Sequence, residues 1–366
     1  MARLTQGSSK VIQEVSSKNG IFAVRGVAAL LVLFLHISSL LIPQQVWIDK
    51  TGPMKIITPW LFRGEVGVGV FIFLSGFLLT LKIPNTGREW SKFYLRRFSR
   101  IYPVYGLLLV VSISTSRFWD FPGFINALFL FPNFPGTLWP APWLSTAWSL
   151  GVEWTLYLLF PLMLFSLRNR ARNIIYLVFF FEFMILFGHS FGTDFHTLVY
   201  GSILGRSIEF MLGMWLALNF NKVRNLGTSK IISLLLPSYG AFHLWCIWYL
   251  QAGGSVSESY LRSLQPIAES LFALTLILLS QKTRHKTAVS IFRPLVFVGE
   301  ISYPLYLTHL IVVDGIKRYV LDQPGTILSN SIGLQSLVIV MVSVVLAWII
   351  HESVEKPGMK LGRSSG

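Results

Sequence analysis

The sequence predicts an all-α integral membrane protein with about ten transmembrane helices and both termini in the cytoplasm. Three observations carry that class. Of the 366 residues, 53% are apolar and 13% are charged, and the charged share is about half that of a typical soluble chain. The apolar residues arrive in blocks of about 18 to 24, long enough to cross a bilayer, with polar punctuation between them. The 31 basic residues outnumber the 16 acidic ones and collect beside the blocks, mostly on alternate connections.

In chain order, residues 1–20 are polar and Ser-rich and read as a cytoplasmic tail. The block that follows lacks a small-residue cleavage site, so it is expected to be a retained span and not a signal peptide. Spans are expected near 21–42, 62–81, 101–115, 145–167, 173–188, 202–220, 231–250, 264–280, 291–313 and 332–351. Residues 21–351 then form one transmembrane domain and 352–366 a cytoplasmic tail. With the N-terminus inside, twenty-two basic residues fall on cytoplasmic segments and seven on outer ones. Removing one span would reverse every later connection and scatter that asymmetry. The longest outer segment, about 116–144, holds FPGFINALFLFPNFPG and WPAPW. It is too short and Pro-rich to span, so it lies at the outer interface or folds back into the bundle.

A net charge of +15 raises the question of nucleic acid. No basic stretch is both long and away from the flank of a span, so the expected partner is the lipid bilayer and no nucleic acid. The single cysteine, Cys246, excludes intramolecular disulfides, CxxC redox motifs and thiolate zinc sites. The GxSxG elbow, HExxH, Walker A loop and Rossmann glycine pattern are all missing from the sequence, which removes soluble hydrolases, kinases and dehydrogenases.

Ionisable groups inside spans cost several kcal/mol, so each is a functional candidate that needs a partner or a wet cavity. Arg25 and His36 are eleven residues apart, which at 100° per residue puts them on one helix face, roughly 16 Å apart along the axis. Arg25 suits a phosphate and a neutral His36 suits a general base, so a phosphate-bearing thioester could be held at one and delivered to the other. A positive-inside anchor and a helix-packing histidine account for the same two residues. Arg97 and Arg100 in FYLRRFSRIYPVY share a face, with Arg96 turned away; an anion site and a lipid-headgroup cluster both fit. Glu153, five residues after Trp148 in AWSLGVEW, is placed to orient an imidazole or to balance an arginine, and a purely structural tie to an arginine fits as well. Arg206 and Glu209 are expected to pair at i, i+3. Tyr303, Tyr306 and His309 follow at three-residue spacing and line one stripe, on a helix expected to bend near Gly299 and Pro304. His189, Asp194 and His196 read as loop residues, and Cys246 as a small buried apolar one.

Seven segments in order carry a resemblance: VRGVAALLVLFLHIS, GEVGVGVFIFLSGFLLT, FYLRRFSRIYPVY, AWSLGVEWTLYLLFPLM, RSIEFMLGMWLA, GEISYPLYLTH and the closing HESVEKP. Together they resemble the acyltransferase 3 family of multi-pass membrane O-acyltransferases, in a stand-alone form without a C-terminal SGNH domain. The resemblance implies transfer of an acyl group, commonly acetyl, from cytoplasmic acyl-CoA to a hydroxyl of a carbohydrate or glycoconjugate on the outer side of a bacterial cytoplasmic membrane. It implies that Arg25 and His36 are the Arg-x10-His pair with His36 catalytic, and that Arg97 and Arg100 hold the coenzyme A phosphates. It also implies matched positions for Glu153 and His309, and no metal. Two departures stand out. The family often has an acidic residue shortly before the first Arg, whereas this chain reads IFAVR. Without an SGNH domain, transfer is expected to finish at the membrane face or to pass to a separate periplasmic or extracellular partner.

The mechanism expected from these residues has the donor phosphates on Arg97, Arg100 and Arg25 and the thioester at His36, with Glu153 orienting the imidazole. His36 acts as general base or carries the acyl group transiently, and the sequence does not separate the two. Tyr303, Tyr306, Trp148 and the WPAPW aromatics are candidate faces for a sugar, with Arg206 in support. A transporter or flippase for a lipid-linked sugar or acylated metabolite is the rival class; inverted repeats would favour it, and none is found in the sequence. A membrane-bound O-acyltransferase of the His/Asn type is disfavoured because no Asn lies centrally in a span.

Overall fold

The computed structural model describes residues 18–41, 64–84, 86–116, 119–130, 144–169, 173–225, 260–282, 292–321 and 331–364, with isolated positions between 229 and 244. The described residues are helical, with turns between and no strand. Helix α1 runs Lys18–Leu41, α2 Val66–Leu81, α3 Gly87–Thr115, α4 Phe121–Phe129, α5 Trp148–Asn169 and α6 Asn173–Ser190. After a π turn at His196–Tyr200 come α7, Ile203–Asn225, and α8, Gln265–Lys282. Then follow α9, Arg293–Glu300, α10, Ser302–Ile316, and α11, Ile332–Ile350. A π turn at His351–Glu355 leads into α12, Lys356–Ser364.

Among the described residues, six helices are long and apolar enough to cross a membrane, and the bent pair Arg293–Glu300 and Ser302–Val320 makes a seventh if counted as one span. The 79° bend falls at Ile301, between the Gly299 and Pro304 singled out in the sequence. Two further expected spans are helices of another kind. α2 has sixteen residues, about 24 Å of rise against roughly 30 Å of hydrocarbon. α7 carries Arg206, Glu209 and Lys222 along its length. The span expected at 231–250, with Cys246, lies outside the described residues, as do WPAPW and residues 1–17. Two boundaries differ from expectation. The third span begins at Gly87, because Thr86 accepts a hydrogen bond from the Glu89 N–H at 3.2 Å and caps the helix. Residues 352–364, expected as a tail, continue the last helix and lie along α3.

α2 is the spine. It packs against α1, α7 and α8, and Val70, Phe73 and Phe77 are almost wholly buried. Its sequence makes this possible: Gly76 lies against the backbone of Phe210 on α7, and Gly213 of α7 lies against the backbone of Phe73, so closely that a Cβ at either would overlap a carbonyl. Lipid does not drive helices together by hydrophobicity, so such small-residue crossings supply the contact. The same device joins α1 to α9, where Gly26 meets Leu295 and Gly299 meets Phe22. Tyr176, Phe179, Phe183 and Phe187 of α6 point outward and are exposed, as lipid-facing residues are. α4 begins at an Asp120 cap, where Gly123 N–H donates at 2.9 Å, and is tied to α3 by the Tyr105 hydroxyl donating to the Ala127 carbonyl at 2.6 Å. The segment expected on the outer side thus packs on the bundle in its first part.

These crossings predict that Gly213→Leu lowers detergent-solubilised stability by about 1–3 kcal/mol or more, as overpacking does. Gly106→Ala, where nothing lies within 4 Å, should be close to neutral. Thermal unfolding midpoints of the two purified variants check this.

Candidate active site

The site is built where α1, α2, α3, α5 and α10 converge. Stacking of Phe93 on Phe160, ring centroids 5.7 Å apart, fixes α3 against α5 and so aims the basic face of α3. A vestibule of about 720 Å³ opens there. Lys82, Lys92, Arg96, Lys356 and Arg363 stand around it, and Arg25, Arg97 and Arg100 line its deeper part. Three carboxylates, Glu89, Glu300 and Glu355, also line it, so the charge balance is strongly positive. Arg96, expected to turn away, is exposed and stands at this rim; one further step round the helix still reaches a cavity this wide. Arg25 lies over the Phe71 ring at 6.0 Å, and Arg97 lies 5.9 Å from both the Phe93 and the Tyr157 rings. The Nε atoms of Arg25 and Arg97 are buried without a hydrogen-bond partner among the described residues.

Arg25, Arg97 and Arg100 also line a narrower cavity of about 100 Å³ that runs deeper between α2, α5 and α10. Its polar wall is Ser75, Ser149, Glu153, Tyr157, Tyr303 and Tyr306. The Ser75 hydroxyl donates to Glu153 Oε1 at 2.6 Å, and Tyr157 donates to the same oxygen. Ser149 donates to the Tyr306 oxygen at 2.7 Å, and Tyr303 donates to the Ile101 carbonyl at 2.6 Å. Beyond Tyr306 stand the two histidines. The rings of His36 and His309 are 4.9 Å apart, and that of Tyr306 is 5.8 Å from His309. His309 Nδ1 is 2.7 Å from the Tyr306 carbonyl. A carbonyl only accepts, so Nδ1 carries the proton, and Nε2 of the neutral ring is a lone-pair acceptor. That Nε2 is buried with no partner among the described residues.

A second polar cluster sits at the opposite end of α2. Arg206 Nη1 binds Glu209 at 2.5 Å, the pair expected from the sequence, and also Glu269 at 3.0 Å. Its Nε donates to the Tyr200 carbonyl at 3.0 Å, and its guanidinium lies 4.4 Å from the Tyr200 ring and 5.9 Å from that of Trp148. Gln265 donates to Glu269 at 2.5 Å and to Glu65 at 3.2 Å, and Arg262 is 3.8 Å from Glu65.

The structure therefore brings together Arg25, Arg97, Arg100, Glu153, Tyr303 and Tyr306 around the two cavities, with His36 and His309 behind Tyr306 and outside the lining of either. It separates Trp148 and Arg206, which belong to the second cluster. One expectation is corrected: Glu153 does not orient His36. Its hydrogen-bond partners are Ser75 and Tyr157, because Tyr157 lies one turn along the same helix and Ser75 faces it from α2; the neighbour of His36 is His309. Tyr303 and Tyr306 line the inner cavity with both hydroxyl groups hydrogen-bonded, so they are walls of a passage more than open faces for a sugar. Ser38 and Ser39 bond back to the Leu35 carbonyl, as serines in spans do, while Ser75 does not. Asp194 caps its own turn through Thr197, in keeping with a loop role, whereas His189, expected in a loop, lies in the last turn of α6 and bonds to the Thr193 carbonyl. The sequence reading missed Glu269, Glu355 and His351. Glu269 carries a usable signal, an acid inside an apolar block, whereas His351 closes the expected last span and Glu355 falls in the expected tail.

Residues 19–352 match the family described as "Acyltransferase domain". The chain is 25% identical over 286 residues to the peptidoglycan O-acetyltransferase OatA of Listeria monocytogenes, covering 69% of this chain and 46% of OatA. It is 26% identical over 333 residues to YrhL of Bacillus subtilis, provisionally named a peptidoglycan O-acetyltransferase, covering 81% of this chain and 51% of YrhL. ORF330 of Acidianus two-tailed virus, provisionally named an acetyltransferase, is 25% identical over 307 residues, with 80% of this chain and 82% of ORF330 covered. The chain thus spans about half the length of OatA and YrhL. No solved structure matches it.

The second cluster yields its own prediction. Arg206→Ala leaves Glu209 and Glu269 facing each other uncompensated and should lower stability by about 3–5 kcal/mol. Combining it with Glu209→Gln should restore part of that loss, read as the unfolding midpoint in detergent.

Proposed function

The chain belongs to the acyltransferase domain family, and from that premise we propose that it transfers an acyl group, acetyl first among candidates, from acyl-CoA to a hydroxyl of a carbohydrate or glycoconjugate. In this reading it lies in a bacterial cytoplasmic membrane as about ten spans with both termini inside. The donor enters from the cytoplasm and the acceptor hydroxyl from the outer side. The observation that carries the reading is a strongly basic vestibule that shares Arg25, Arg97 and Arg100 with a narrower cavity, one wall of which, Tyr306, lies 5.8 Å from His309 of the ring-paired histidines. Coenzyme A is a polyanion with a long, thin thiol arm, and the two cavities match those two parts. The unpartnered Nε–H groups of Arg25 and Arg97 fit a phosphate acceptor, which arginine binds by paired donation.

In the transfer, His36 takes the acceptor hydroxyl proton as its oxygen attacks the thioester carbonyl. The carbon–sulfur bond breaks, and the thiolate leaves with the proton returned from the imidazolium. His309, its tautomer set by the Tyr306 carbonyl, packs on His36 and presents an acceptor nitrogen. Glu153, Ser75 and Tyr157 line the passage as a neutralising wall opposite the arginines. The names of OatA and YrhL point to peptidoglycan as a first acceptor to try, and a separate extracellular partner could take the acyl group onward.

The test is calorimetric binding of coenzyme A, and slow hydrolysis of acetyl-CoA, by the purified wild type and by His36→Ala and Arg97→Ala/Arg100→Ala variants. The arginine pair should weaken coenzyme A binding by about thirtyfold or more, the scale for losing buried charge-assisted contacts. His36→Ala should bind normally and lose about 10²–10⁴ in hydrolysis. A well-folded wild type that binds neither coenzyme A nor acetyl-CoA overturns the reading and brings the transporter class forward.

A further inference from the structure

The closing HESVEKP segment has no part in the chemistry above, yet it is built into the vestibule. α11 does not stop at Ile350; the chain passes through the wide turn His351–Glu355 and continues as α12. The π turn places both of its end residues inward. His351 is 7% and Glu355 2% exposed, with His351 Nδ1 2.6 Å from Glu355 Oε2, so the ring N–H donates to the carboxylate. Glu352 pairs with Lys356 on the outer side of the same turn, where both are exposed. α12 is seated on α3: Gly358 lies against Pro103 and Ser99, and Gly362 against Ser99, with no room for a Cβ at either. This packing holds Glu355 in the wall of the vestibule that Arg25, Arg97 and Arg100 also line.

Arg25 faces a problem that its own helix does not solve. It is half-buried, with its Nε enclosed, in a wall it shares with Arg97 and Arg100, and the residues before it, IFAV, contain no acid. A partly buried cation among like charges must be balanced from elsewhere. Of the three carboxylates that line the vestibule with Arg25, Glu355 is the buried one, whereas Glu89 and Glu300 are exposed. We propose that Glu355, held by His351, is a positioning residue whose charge balances the Arg25 guanidinium in the donor site, so that the turn after the last span is part of that site. The proposal rests on the donor reading above and adds a residue pair to it. It also accounts for the departure at IFAVR: the balancing acid comes from the far end of the domain in place of the first helix.

The experiment is calorimetry of the full chain with coenzyme A on Glu355→Gln, Glu355→Asp, Arg25→Ala and Arg25→Ala/Glu355→Gln. Glu355→Gln keeps an oxygen for the His351 N–H and should weaken binding roughly tenfold, while Glu355→Asp recovers most of it. On top of Arg25→Ala, Glu355→Gln should add nothing, because the two act as one unit. His351→Gln gives a second reading that does not depend on the first variant folding: KM for acetyl-CoA should rise with kcat within about twofold, the mark of a lost ground-state contact. Wild-type-like coenzyme A binding by Glu355→Gln, or losses that multiply in the double variant, overturns this proposal and leaves the donor reading standing. Failure of the wild type itself to bind coenzyme A overturns the donor reading and takes this proposal with it.

Discussion

A charge inside hydrocarbon is tolerated only when another charge, a dipole or water answers it, and most of this bundle can be understood as a set of such answers. Arg206 is answered by two carboxylates, a backbone carbonyl and two aromatic faces. Glu153 is answered by two hydroxyl groups. The arginines of the vestibule share its walls and those of the deeper cavity with Glu355, Glu153 and ring faces, and no ion pair reaches Arg25 or Arg97 among the described residues. Arg206 Nη2 and Glu209 Oε2 are likewise without a hydrogen-bond partner among the described residues, so what separates the two regions is the direct ion pairs that Arg206 makes.

Both clusters hang on α2, a glycine-bearing helix of sixteen residues whose rise falls short of roughly 30 Å of hydrocarbon. Its glycines let α1 and α7 approach to backbone contact. Glu65 and Lys82 flank it, so the carboxylate network and the basic vestibule occupy its opposite ends. Ser75, midway, contributes the hydroxyl that binds Glu153 on α5. A single sixteen-residue helix thereby sets the distance between the two charged regions.

Much of this was legible in the sequence. Apolar block length marked α1, α3, α5, α6, α8 and α11, and the spacing of Arg97 from Arg100 and of Tyr303, Tyr306 and His309 marked faces that do converge. Helical periodicity reports what shares a face within one helix; it is silent on which helix that face meets. For that reason the partner of His36 was sought in Glu153 and found in His309, and the second acid on Arg206 was not foreseen. The role of residues 351–363 was hidden for another reason. Their polarity is that of a cytoplasmic tail, and only the packing of Gly358 and Gly362 on α3 shows that they are part of the fold.

The sharp bend at Ile301 also bears on how such a chain can change over evolutionary time. In an unbroken helix, inserting one residue turns everything beyond it by about 100°, so a stripe such as Tyr303, Tyr306 and His309 would be lost to any change of length upstream. Here α10 starts afresh at Ser302, with its rotation set by its own packing on α1 and α11. Insertions and deletions before residue 301 therefore leave the phase of the stripe intact, whereas one between 303 and 309 would scramble it. The break acts as a reading-frame barrier between two helices whose rotations are set by separate packing.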